Sequence, residues 1–225
     1  MRGTFIARWS EWCRQRSHKA FDGGSIPLRA TNFNTHIMNN LIVIGHPDRK
    51  SFCYNGIMKT IKHELEQYKQ NVEVIDLYKD DLSIKKKEVI KHYQELVTWA
   101  DRIYFVSPVW WFRCTPLMEE FFDVVFTPKF AYKFMPLIKY YGYPKPLLSH
   151  KKVRTYLTHG APALPVLLLY FNAVKLRLSL GVYSFVFGWF RTKTRQFWSV
   201  PFVPQEKREK YLEQVRKDIR KDIKS

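Results

Sequence analysis

The sequence predicts an α/β protein whose core is a doubly wound, five-stranded parallel sheet with helices on both faces. Five short runs of apolar or alternating residues predict strands, and segments with apolar residues at helical spacing separate them. A parallel sheet follows from this alternation, because each crossover helix returns the chain to the edge where the previous strand began. With 225 residues, 46% of them apolar, the chain is long enough to bury a full core.

The first half of the chain supplies three of the strands. The apolar run Leu41–Gly45 suits a strand that is buried on both faces. Ser51 can cap the helix that follows it, in which Ile57, Ile61 and Leu65 recur at helical spacing. The other predicted elements of this half are a strand at Val72–Leu77, a helix at Lys85–Ala100, a strand at Arg102–Pro108 and a helix at Pro116–Phe126 with proline in its first turn.

The second half supplies two more strands and a long insertion. Residues Phe130–His150 are rich in aromatic residues and proline, so we expect a loop outside the core. The uncharged stretch Thr155–Val174 is about as long as a membrane span, but a glycine and two prolines in its first half favour a strand, a loop and the start of a helix. The predicted elements are a strand at Val153–Thr158, a helix at Leu164–Val186 that is interrupted near Gly181, a strand at Arg195–Val200 and a helix at Glu206–Ile223.

Residues 1–37 are expected to form a disordered N-terminal extension, and residues 38–225 a single domain. The extension is rich in Lys and Arg but lacks the continuous apolar stretch of a secretory signal. Its composition also has a weak likeness to a mitochondrial transit peptide, which stays open as an alternative. Met38 lies directly ahead of the first strand and is a candidate start of translation.

The chain is strongly basic. Lys and Arg total 38 against 20 Asp and Glu, a formal net charge of +18. An anionic partner is therefore expected: nucleic acid, lipid headgroups or a phosphorylated cofactor. The charge is uneven, because residues 125–204 hold twelve Lys or Arg and no acid. No nucleic-acid recognition motif accompanies the charge, so we predict no nucleic-acid partner.

The three cysteines, Cys13, Cys53 and Cys114, are too few and too far apart for a disulfide framework or for a CxxC zinc or redox motif. This cysteine usage favours a reducing, intracellular setting, and we predict a cytoplasmic location. No metal site is predicted.

The candidate site follows from the predicted sheet, because doubly wound sheets bind ligands beyond the carboxyl ends of their strands, where the strand order reverses. The loops after the first, third and fourth strands lie there. The first loop, residues 46–55, has neither a GxGxxG fingerprint nor a Walker sequence. Its turn into a helix can still hold a phosphate through free backbone N–H groups and the helix dipole, with Ser51 and His46 as donors. An ordinary capped turn is the alternative.

The other two loops carry aromatic and small residues. After the third strand, Val109, Trp110, Trp111 and Phe112 form an apolar cluster that either covers a flat ligand or packs into the core. After the fourth strand, Gly160 either lets a ligand approach the backbone closely or forms a plain turn. Together the three loops suit a flat, anionic cofactor. A flavin nucleotide matches, with its phosphate in the first loop and its ring between the other two.

Three stretches, HPDRKSFCYN, SPVWWFRCTPLMEEFFDVVFTPKFAY and THGAP, resemble the cofactor loops of the flavodoxin-like NAD(P)H:quinone oxidoreductases. The resemblance runs from about Met38 to the C-terminal helix. Its second motif is specific, because the aromatic loop, the helix ending in DVVFTP and the trailing FAY come in the family's order. The resemblance implies a flavodoxin-like fold, non-covalent FMN or FAD, NAD(P)H as electron donor, and usually a homodimer with each active site at the subunit interface.

The resemblance also implies roles for individual residues. Tyr132 and Phe134 match aromatic residues that reach into the family's substrate pocket. The Tyr and His that better-known members place soon after the fourth-strand loop are missing at that spacing, so His159 is the candidate for steadying charge on the reduced flavin; His159 and Tyr132 are the catalytic candidates. The implied flavin contacts are His46, Ser51, Phe52, Cys53 and Asn55 for the phosphate and ribityl chain, Pro108, Val109, Trp110, Trp111 and Phe112 for the ring, and Thr158, His159, Gly160 and Ala161 for its other edge.

The implied function is that of a flavin-dependent NAD(P)H oxidoreductase, which passes two electrons, as a hydride, from NAD(P)H through bound FMN or FAD to a quinone or similar flat acceptor. Both half-reactions share one pocket, so ping-pong kinetics are expected. The basic stretch either favours NADPH through its 2′-phosphate or is a solvated face. The alternative is a flavin-bound regulatory or accessory subunit of a membrane transport system, in which the region Leu164–Arg195 would dock peripherally on a membrane or a membrane protein.

Overall fold

The structure of the protein is a computed structural model, and it describes residues 36–79, 87–139 and 141–225. The predicted disorder of residues 1–37 falls almost wholly outside these ranges, and the division at residue 38 stays a prediction. The strands are β1 (Asn39–Ile44), β2 (Asn71–Asp76), β3 (Arg102–Pro108), β4 (Tyr132–Ile138), β5 (Tyr141–Pro146), β6 (Lys152–Thr158) and β7 (Thr192–Phe197).

Five of these strands form one parallel sheet in the order β2-β1-β3-β6-β7. The chain first moves outward from β1 to β2 and then returns to the other side of β1 with β3, so the strand order reverses between β1 and β3. That reversal defines the crevice at which doubly wound sheets bind ligands. The predicted fold class is confirmed.

The helices connect the strands and cover both faces of the sheet. The first helix, α1, spans residues 52–67, with a wider π-helical first half, Phe52–Met58, and a regular second half, Lys59–Gln67. The predicted cap is confirmed, because the Ser51 hydroxyl accepts a hydrogen bond from the backbone N–H of Tyr54. The other helices are α2 (Lys87–Trp99), α3 (Pro116–Val125), α4 (Ala163–Leu168), α5 (residues 173–186, π-helical at Arg177–Tyr183) and α6 (Gln205–Ile223).

The core consists of two apolar clusters, one on each face of the sheet. Alternate residues of each strand point to opposite faces, so Leu41 and Val43 join the cluster under α2, α3 and α5, and Ile42 and Ile44 join the cluster under α1 and α6. Both faces of β1 are buried, as the continuous apolar run predicts. The strand ends are thereby held rigidly, and the loops that follow them start from fixed positions.

Charged residues also lie buried beneath α6, and no pattern in the sequence predicted their burial. Arg154 on β6 donates two hydrogen bonds to the Asp222 carboxylate, at 2.5 and 2.7 Å, and lies 3.2 Å from Asp218. Arg195 on β7 donates to the same Asp218 at 2.7 Å. These ion pairs fasten the last helix to the strands beside the candidate site. A buried pair of this kind is costly to break, because the remaining charge stays out of water without a partner.

The insertion at Phe130–His150 is not a loop, and that prediction is wrong. It forms an antiparallel hairpin of β4 and β5, separate from the main sheet. Nearly every residue of β4 is exposed, so the strand shows no alternation between a buried and a solvated face. Without that alternation the sequence carried no signal for a strand.

The predicted helix at Leu164–Val186 is also wrong in its continuity. The chain breaks after α4 and turns at Phe171 and Asn172, which adopt left-handed φ angles of 49° and 52°. Asparagine adopts such angles more readily than most residues, but phenylalanine rarely does, so no sequence pattern predicted the break. Gly181 lies inside the π-helical part of α5, and the helix continues through it. The fifth strand starts three residues earlier than predicted, at Thr192.

The remaining helices agree with their predicted positions to within a few residues; the predicted start of α2 at Lys85 falls in the gap at 80–86. Within the described ranges, no helix has the length and apolar character needed to cross a membrane. The stretch Thr155–Val174 instead contains the end of β6, a loop, α4 and the start of α5.

Candidate functional site at the carboxyl edge of the sheet

The three loops that the sequence singled out meet at one rim of the sheet. The thiol of Cys53, at the start of α1, lies 3.1 Å from the hydroxyl of Thr158 at the end of β6. The backbone N–H of Val109, after β3, donates to the Thr158 carbonyl at 2.8 Å. The rings of His46 and Trp110 meet edge to face, with centroids 6.3 Å apart. Loops one, two and three therefore touch one another, as predicted.

The first loop ends in an open helix N-terminus. The Ser51 hydroxyl caps the N–H of Tyr54, but the N–H groups of Phe52 and Cys53 donate no hydrogen bond to any part of the chain that the structure describes. Both point along the start of a helix sixteen residues long, residues 52–67. Unpaired N–H groups at the positive end of a helix dipole bind anions such as phosphate.

His46 lies beside this helix start and is nearly buried. Burial lowers the pKa of His46 to about 4, and the nearby Asp48 carboxylate opposes this only in part. The ring is therefore neutral at physiological pH. Because the backbone N–H of Asp48 donates to Nδ1 at 2.9 Å, the ring proton is on Nε2. His46 can offer an anion a hydrogen bond from Nε2 but no charge.

The second loop is a tight aromatic turn. Trp110 and Arg113 exchange two backbone hydrogen bonds, of 2.8 and 3.1 Å, around Trp111 and Phe112. These two central residues have φ angles of 50° and 61°, the left-handed pair that defines a type I′ turn and that glycine or asparagine usually occupies. Bulky side chains at such positions are strained, and strain of this kind concentrates at functional sites.

The turn holds its aromatic rings and its backbone donors outward. Trp111 is 90% exposed, and within the described residues the N–H groups of Trp111 and Phe112 have no acceptor. Val109, by contrast, packs against the core, which is the alternative that the sequence left open for the whole cluster. The predicted cluster therefore divides: Val109 anchors the loop, and the turn faces solvent.

Tyr170, a residue that the sequence analysis did not single out, reaches this turn. Its ring lies 4.4 Å from the ring of Phe112, centroid to centroid. Tyr170 lies between the end of α4 at Leu168 and the left-handed residues Phe171 and Asn172. The contact between Tyr170 and the second loop could not be predicted from the sequence, because no sequence pattern indicated the break in the helix.

The third loop leaves open space beside its glycine. A Cβ placed on Gly160 would meet no heavy atom within 4 Å. The loop is fixed on both sides, since the carbonyls of His159 and Ala161 accept from the N–H groups of Val200 and Ser199 at 2.9 and 3.0 Å. Within the described chain, the N–H groups of Gly160 and Ala161 are unpaired. The protein itself therefore has no packing need for glycine at this position.

His159 is held by two residues that the sequence analysis missed. Its ring stacks on Trp198 with centroids 4.2 Å apart, and Nε2 lies 3.0 Å from the Gln196 side-chain oxygen. A carboxamide oxygen only accepts, so Nε2 carries the proton and Nδ1 does not. Burial lowers the pKa of His159 to about 4, so the ring is neutral. The predicted fifth strand, Arg195–Val200, extended past Phe197, where β7 ends, so Trp198 was taken for a strand residue and not for part of the rim.

The other predicted site residues make fewer contacts at the rim or none. Burial raises the pKa of the Cys53 thiol to about 12, so it stays protonated beside the Thr158 hydroxyl and is not a nucleophile. Asn55 is exposed on α1. Tyr132 and Phe134 lie on the hairpin with their rings 5.5 Å apart, and no hydrogen bond or ring contact within the described chain joins them to the rim.

The residues present fit a flavin mononucleotide. An anion-binding helix start, an outward aromatic turn with two unpaired N–H groups, and an open glycine edge with two more lie at one rim. A flavin offers a phosphate for the first and a flat ring with carbonyl and ring-nitrogen acceptors for the others. The unpaired donors of the rim and the acceptors of the cofactor are therefore chemically complementary.

Comparison with known proteins decides the family. A protein-family profile described as flavodoxin-like fold matches residues 38–221 of the chain. The chain belongs to this family. The order of its strands and the position of its loops are those expected for the family, as the sequence resemblance implied.

Individual relatives are more distant. The uncharacterized NAD(P)H oxidoreductase YdeQ of Bacillus subtilis (strain 168) is 29% identical over 96 residues, which are 40% of this chain. The match spans less than half, 43%, of that relative's length. The NAD(P)H:quinone oxidoreductase of Methanothermobacter marburgensis superimposes with a TM-score of 0.65, at 21% identity, over 82% of this chain and 96% of its own. The FMN-dependent NADH-azoreductase of Bacillus anthracis, in complex with FMN, superimposes with a TM-score of 0.64, at 16% identity, over 82% of this chain and 99% of its own.

Proposed function

We propose that the protein is a flavin-dependent NAD(P)H oxidoreductase that transfers two electrons from NAD(P)H to a quinone or a similar flat acceptor. The observation that carries the proposal is the meeting of three loops at one rim, each with unpaired backbone donors facing outward. The names of the relatives support the same activity: one is an NAD(P)H oxidoreductase, one an NAD(P)H:quinone oxidoreductase and one an FMN-dependent NADH-azoreductase.

FMN is the proposed cofactor, since the neighbour from Bacillus anthracis is FMN-dependent. Its phosphate would bind at the N–H groups of Phe52 and Cys53, with Ser51 and the Nε2 proton of His46 beside them. Its ring would lie between the aromatic turn and the Gly160 edge. When bound, FMN supplies the two-electron chemistry that no amino-acid side chain offers. FAD, which the sequence left open, would have to extend its adenosine beyond this rim.

The protein's own contribution is orientation and neutral hydrogen bonding. Four N–H groups, those of Trp111, Phe112, Gly160 and Ala161, would face the ring edges and stabilise negative charge there. His159 was predicted to steady that charge. Because its pKa is lowered and its Nε2 proton is directed at Gln196, it acts through the position of the loop and not as a cation. A catalytic role for Tyr132, and substrate contacts for Tyr132 and Phe134, stay predictions.

The homodimer and the cytoplasmic location also stay predictions. The accessory subunit of a membrane transport system has no support in the relatives named above, and the oxidoreductase is the function that we carry forward. The choice between NADH and NADPH is a prediction as well: the exposed Lys and Arg of residues 125–204 would favour the 2′-phosphate of NADPH.

The test is anaerobic reduction of the FMN-loaded protein by NADH and by NADPH, followed by oxidation with a soluble benzoquinone. We expect bleaching of the flavin absorbance in the first step and its return in the second. A protein that binds FMN but is reduced by neither nucleotide would contradict the proposed activity while leaving the binding site intact. Equal rates with both nucleotides would remove the NADPH preference only.

A further inference from the structure

The strained turn of the second loop is held at its exit by a carboxylate of α3. Glu119 lies in the first turn of this helix, and its Oε1 accepts a hydrogen bond from the backbone N–H of Cys114 at 2.7 Å. Cys114 directly follows the type I′ turn that the backbone hydrogen bonds between Trp110 and Arg113 close. The Glu119 carboxylate therefore fixes the residue at which the chain leaves the turn.

The same carboxylate is paired with a residue of α5. Arg177 donates a hydrogen bond from Nη1 to Glu119 Oε1 at 3.0 Å, and its Nη2 forms an ion pair with Oε2. Arg177 is the first residue of the π-helical part of α5, and π-helical turns are rare and occur frequently at functional sites. Through α3, the ion pair thus joins the second loop to the segment that follows the third loop.

A second contact joins the same two parts of the chain. Tyr170, between α4 and α5, has its ring 4.4 Å from the ring of Phe112. The α4–α5 segment, residues 163–186, therefore supports the second loop both at its turn and at its exit. Such support matters because strained backbone angles persist only where the surrounding structure holds them. Trp111 and Phe112, with φ angles of 50° and 61°, are the residues that require it.

Stabilisation of α3 alone explains only part of this arrangement. An acid in the first turn of a helix interacts favourably with the helix dipole, and within the described chain the N-cap residue, Thr115, makes no capping hydrogen bond with its side chain. Glu119 performs that service for α3 without Arg177. The Arg177 side chain is 44% exposed, and an ion pair with so exposed a partner adds little stability. The contact with α5 is therefore better explained by the position of the turn than by the stability of the helix.

We propose that Glu119 and Arg177 are positioning residues for the flavin ring. Their ion pair holds the turn so that the N–H groups of Trp111 and Phe112 face the ring, and neither side chain has to touch the flavin itself. This inference rests on the flavin-dependent function proposed above. The phosphate site belongs to another loop, at the start of α1. Loss of the ion pair should therefore weaken the binding of FMN and of riboflavin, which lacks the phosphate, by the same factor.

The first test is the affinity of the flavin-free protein for FMN and for riboflavin, measured by quenching of flavin fluorescence. Glu119→Leu removes the acceptor of the Cys114 N–H and the partner of Arg177, and should raise both Kd values about fivefold to twentyfold. Glu119→Gln keeps an oxygen for both donors and should raise them no more than about twofold. Arg177→Leu should raise both about two- to threefold, and Arg177→Lys should restore most of the loss.

A double-mutant cycle tests whether the two residues act as one unit. If Arg177 acts on the ring only through Glu119, the variant with both leucines should bind the two flavins no more weakly than Glu119→Leu alone. Losses that multiply in the double variant would show that the two residues act independently and would overturn the inference. If Glu119→Leu does not fold, Arg177→Leu, at the more exposed side chain, still tests the ring site.

The second test is the midpoint potential of the bound flavin, which a loss of stability alone does not change. N–H groups directed at the ring bind the negatively charged reduced flavin more strongly than the oxidised flavin. In Glu119→Leu the reduced flavin should therefore lose about fivefold more affinity than the oxidised flavin. The potential of the variant should then be about 20 mV lower, at about 30 mV for each tenfold change in a two-electron couple.

The matched control is Arg220→Leu. Arg220 pairs with Glu64 at 2.9 Å, and the exposed fractions of the two side chains, 45% and 3%, are close to those of Arg177 and Glu119, 44% and 13%. This pair joins α6 to the half of α1 that leads away from the rim. Arg220→Leu leaves the buried Glu64 carboxylate without its partner, so it should lower stability in urea denaturation at least as much as Arg177→Leu. It should leave both flavin Kd values and the potential unchanged.

The outcomes separate this inference from the proposed function. If the original protein binds flavin, and the Glu119→Leu and Arg177→Leu variants lose stability while their flavin Kd values and potential stay unchanged, the ion pair is structural only and the inference alone is wrong. A rise in the Kd of FMN without a rise in that of riboflavin would place the effect at the phosphate, which also contradicts it. If the original protein binds neither flavin, the proposed function fails and the inference fails with it.

Discussion

Replacing Gly160 with valine tests whether this glycine is required for folding or for binding of the flavin. A Cβ at this position meets no heavy atom within 4 Å, and the φ angle is not in the left-handed region that disfavours side chains. We expect the free energy of unfolding to change by no more than about 0.5 kcal/mol, or to rise slightly as the unfolded chain loses freedom. The same side chain would fill the space proposed for the edge of the flavin ring.

The expected loss of FMN affinity can be bounded from the groups involved. Displacing the ring edge from the N–H groups of Gly160 and Ala161 removes up to two hydrogen bonds, about 1–3 kcal/mol, which is about a fivefold to 150-fold rise in Kd. Quenching of flavin fluorescence on titration measures this Kd, and urea denaturation measures stability.

The matched control is Gly181→Ala in α5, where the new Cβ meets only Arg177 Cγ, at 3.9 Å. It should stabilise the helix by about 0.5–1 kcal/mol and leave FMN binding unchanged. An unchanged FMN Kd in Gly160→Val, or a loss of several kcal/mol in its stability, would refute the placement of the ring at this edge.

Three further predictions concern the phosphate site, the ion pairs and pH. Ser51→Ala should lower stability by about 1 kcal/mol through loss of the cap and should weaken FMN more than riboflavin, which lacks the phosphate; equal weakening of both in fluorescence titrations would contradict the site. Arg154→Met should cost about 3 kcal/mol in urea denaturation, because it leaves the buried Asp222 carboxylate with only Lys193, at 3.5 Å, while Asp218 keeps Arg195. A cost below about 1 kcal/mol would show that the charges are already solvated. The free energy of unfolding should fall as the pH drops from about 6.5 to about 4, because the unfolded chain then protonates His46 and His159, whereas the folded protein protonates them only near pH 4. The expected loss is about 2–3 kcal/mol per histidine at pH 4.5, and no loss is expected between pH 7 and 8. His159→Gln should reduce that slope by about half, and an unchanged slope would assign it to other groups.

The elements that the sequence predicted well are those with one dominant pattern. Strand β1 is apolar on both faces and β3 is bounded by charge and proline, so their limits were close to those of the structure. Helix α6 has a single apolar stripe that ends in a run of charge. In each case local pattern and tertiary packing favour the same structure, which is when sequence alone suffices.

The errors share a different physical cause. Strand β4 has no buried face, and the chain reversal at Phe171 and Asn172 uses left-handed angles, which phenylalanine rarely adopts. Strand β7 lies at the edge of the sheet and starts with polar residues, so its apolar end alone gave a signal. These features depend on contacts between distant parts of the chain, which a reading of local pattern does not contain.

The sequence predicted which three loops form the candidate site, but not all of the residue contacts within it. The meeting of Cys53 with Thr158 and of His46 with Trp110 follows from the strand order, which the alternation of elements had implied. The contact of Tyr170 with Phe112 and the stacking of Trp198 on His159 depend on the two misplaced elements, α4 and β7. Correct strand limits at β7 would have placed Trp198 directly after the last strand.

The most direct measurement is a titration of the flavin-free protein with FMN and, in parallel, with riboflavin. The three-loop rim predicts one FMN per chain, bound about tenfold or more tightly than riboflavin, because only FMN carries the phosphate that the Phe52 and Cys53 N–H groups would hold. It also predicts that Gly160→Val weakens both ligands. No saturable binding of FMN, or equal affinity for the two flavins, would contradict a flavin held by its phosphate and ring at this rim.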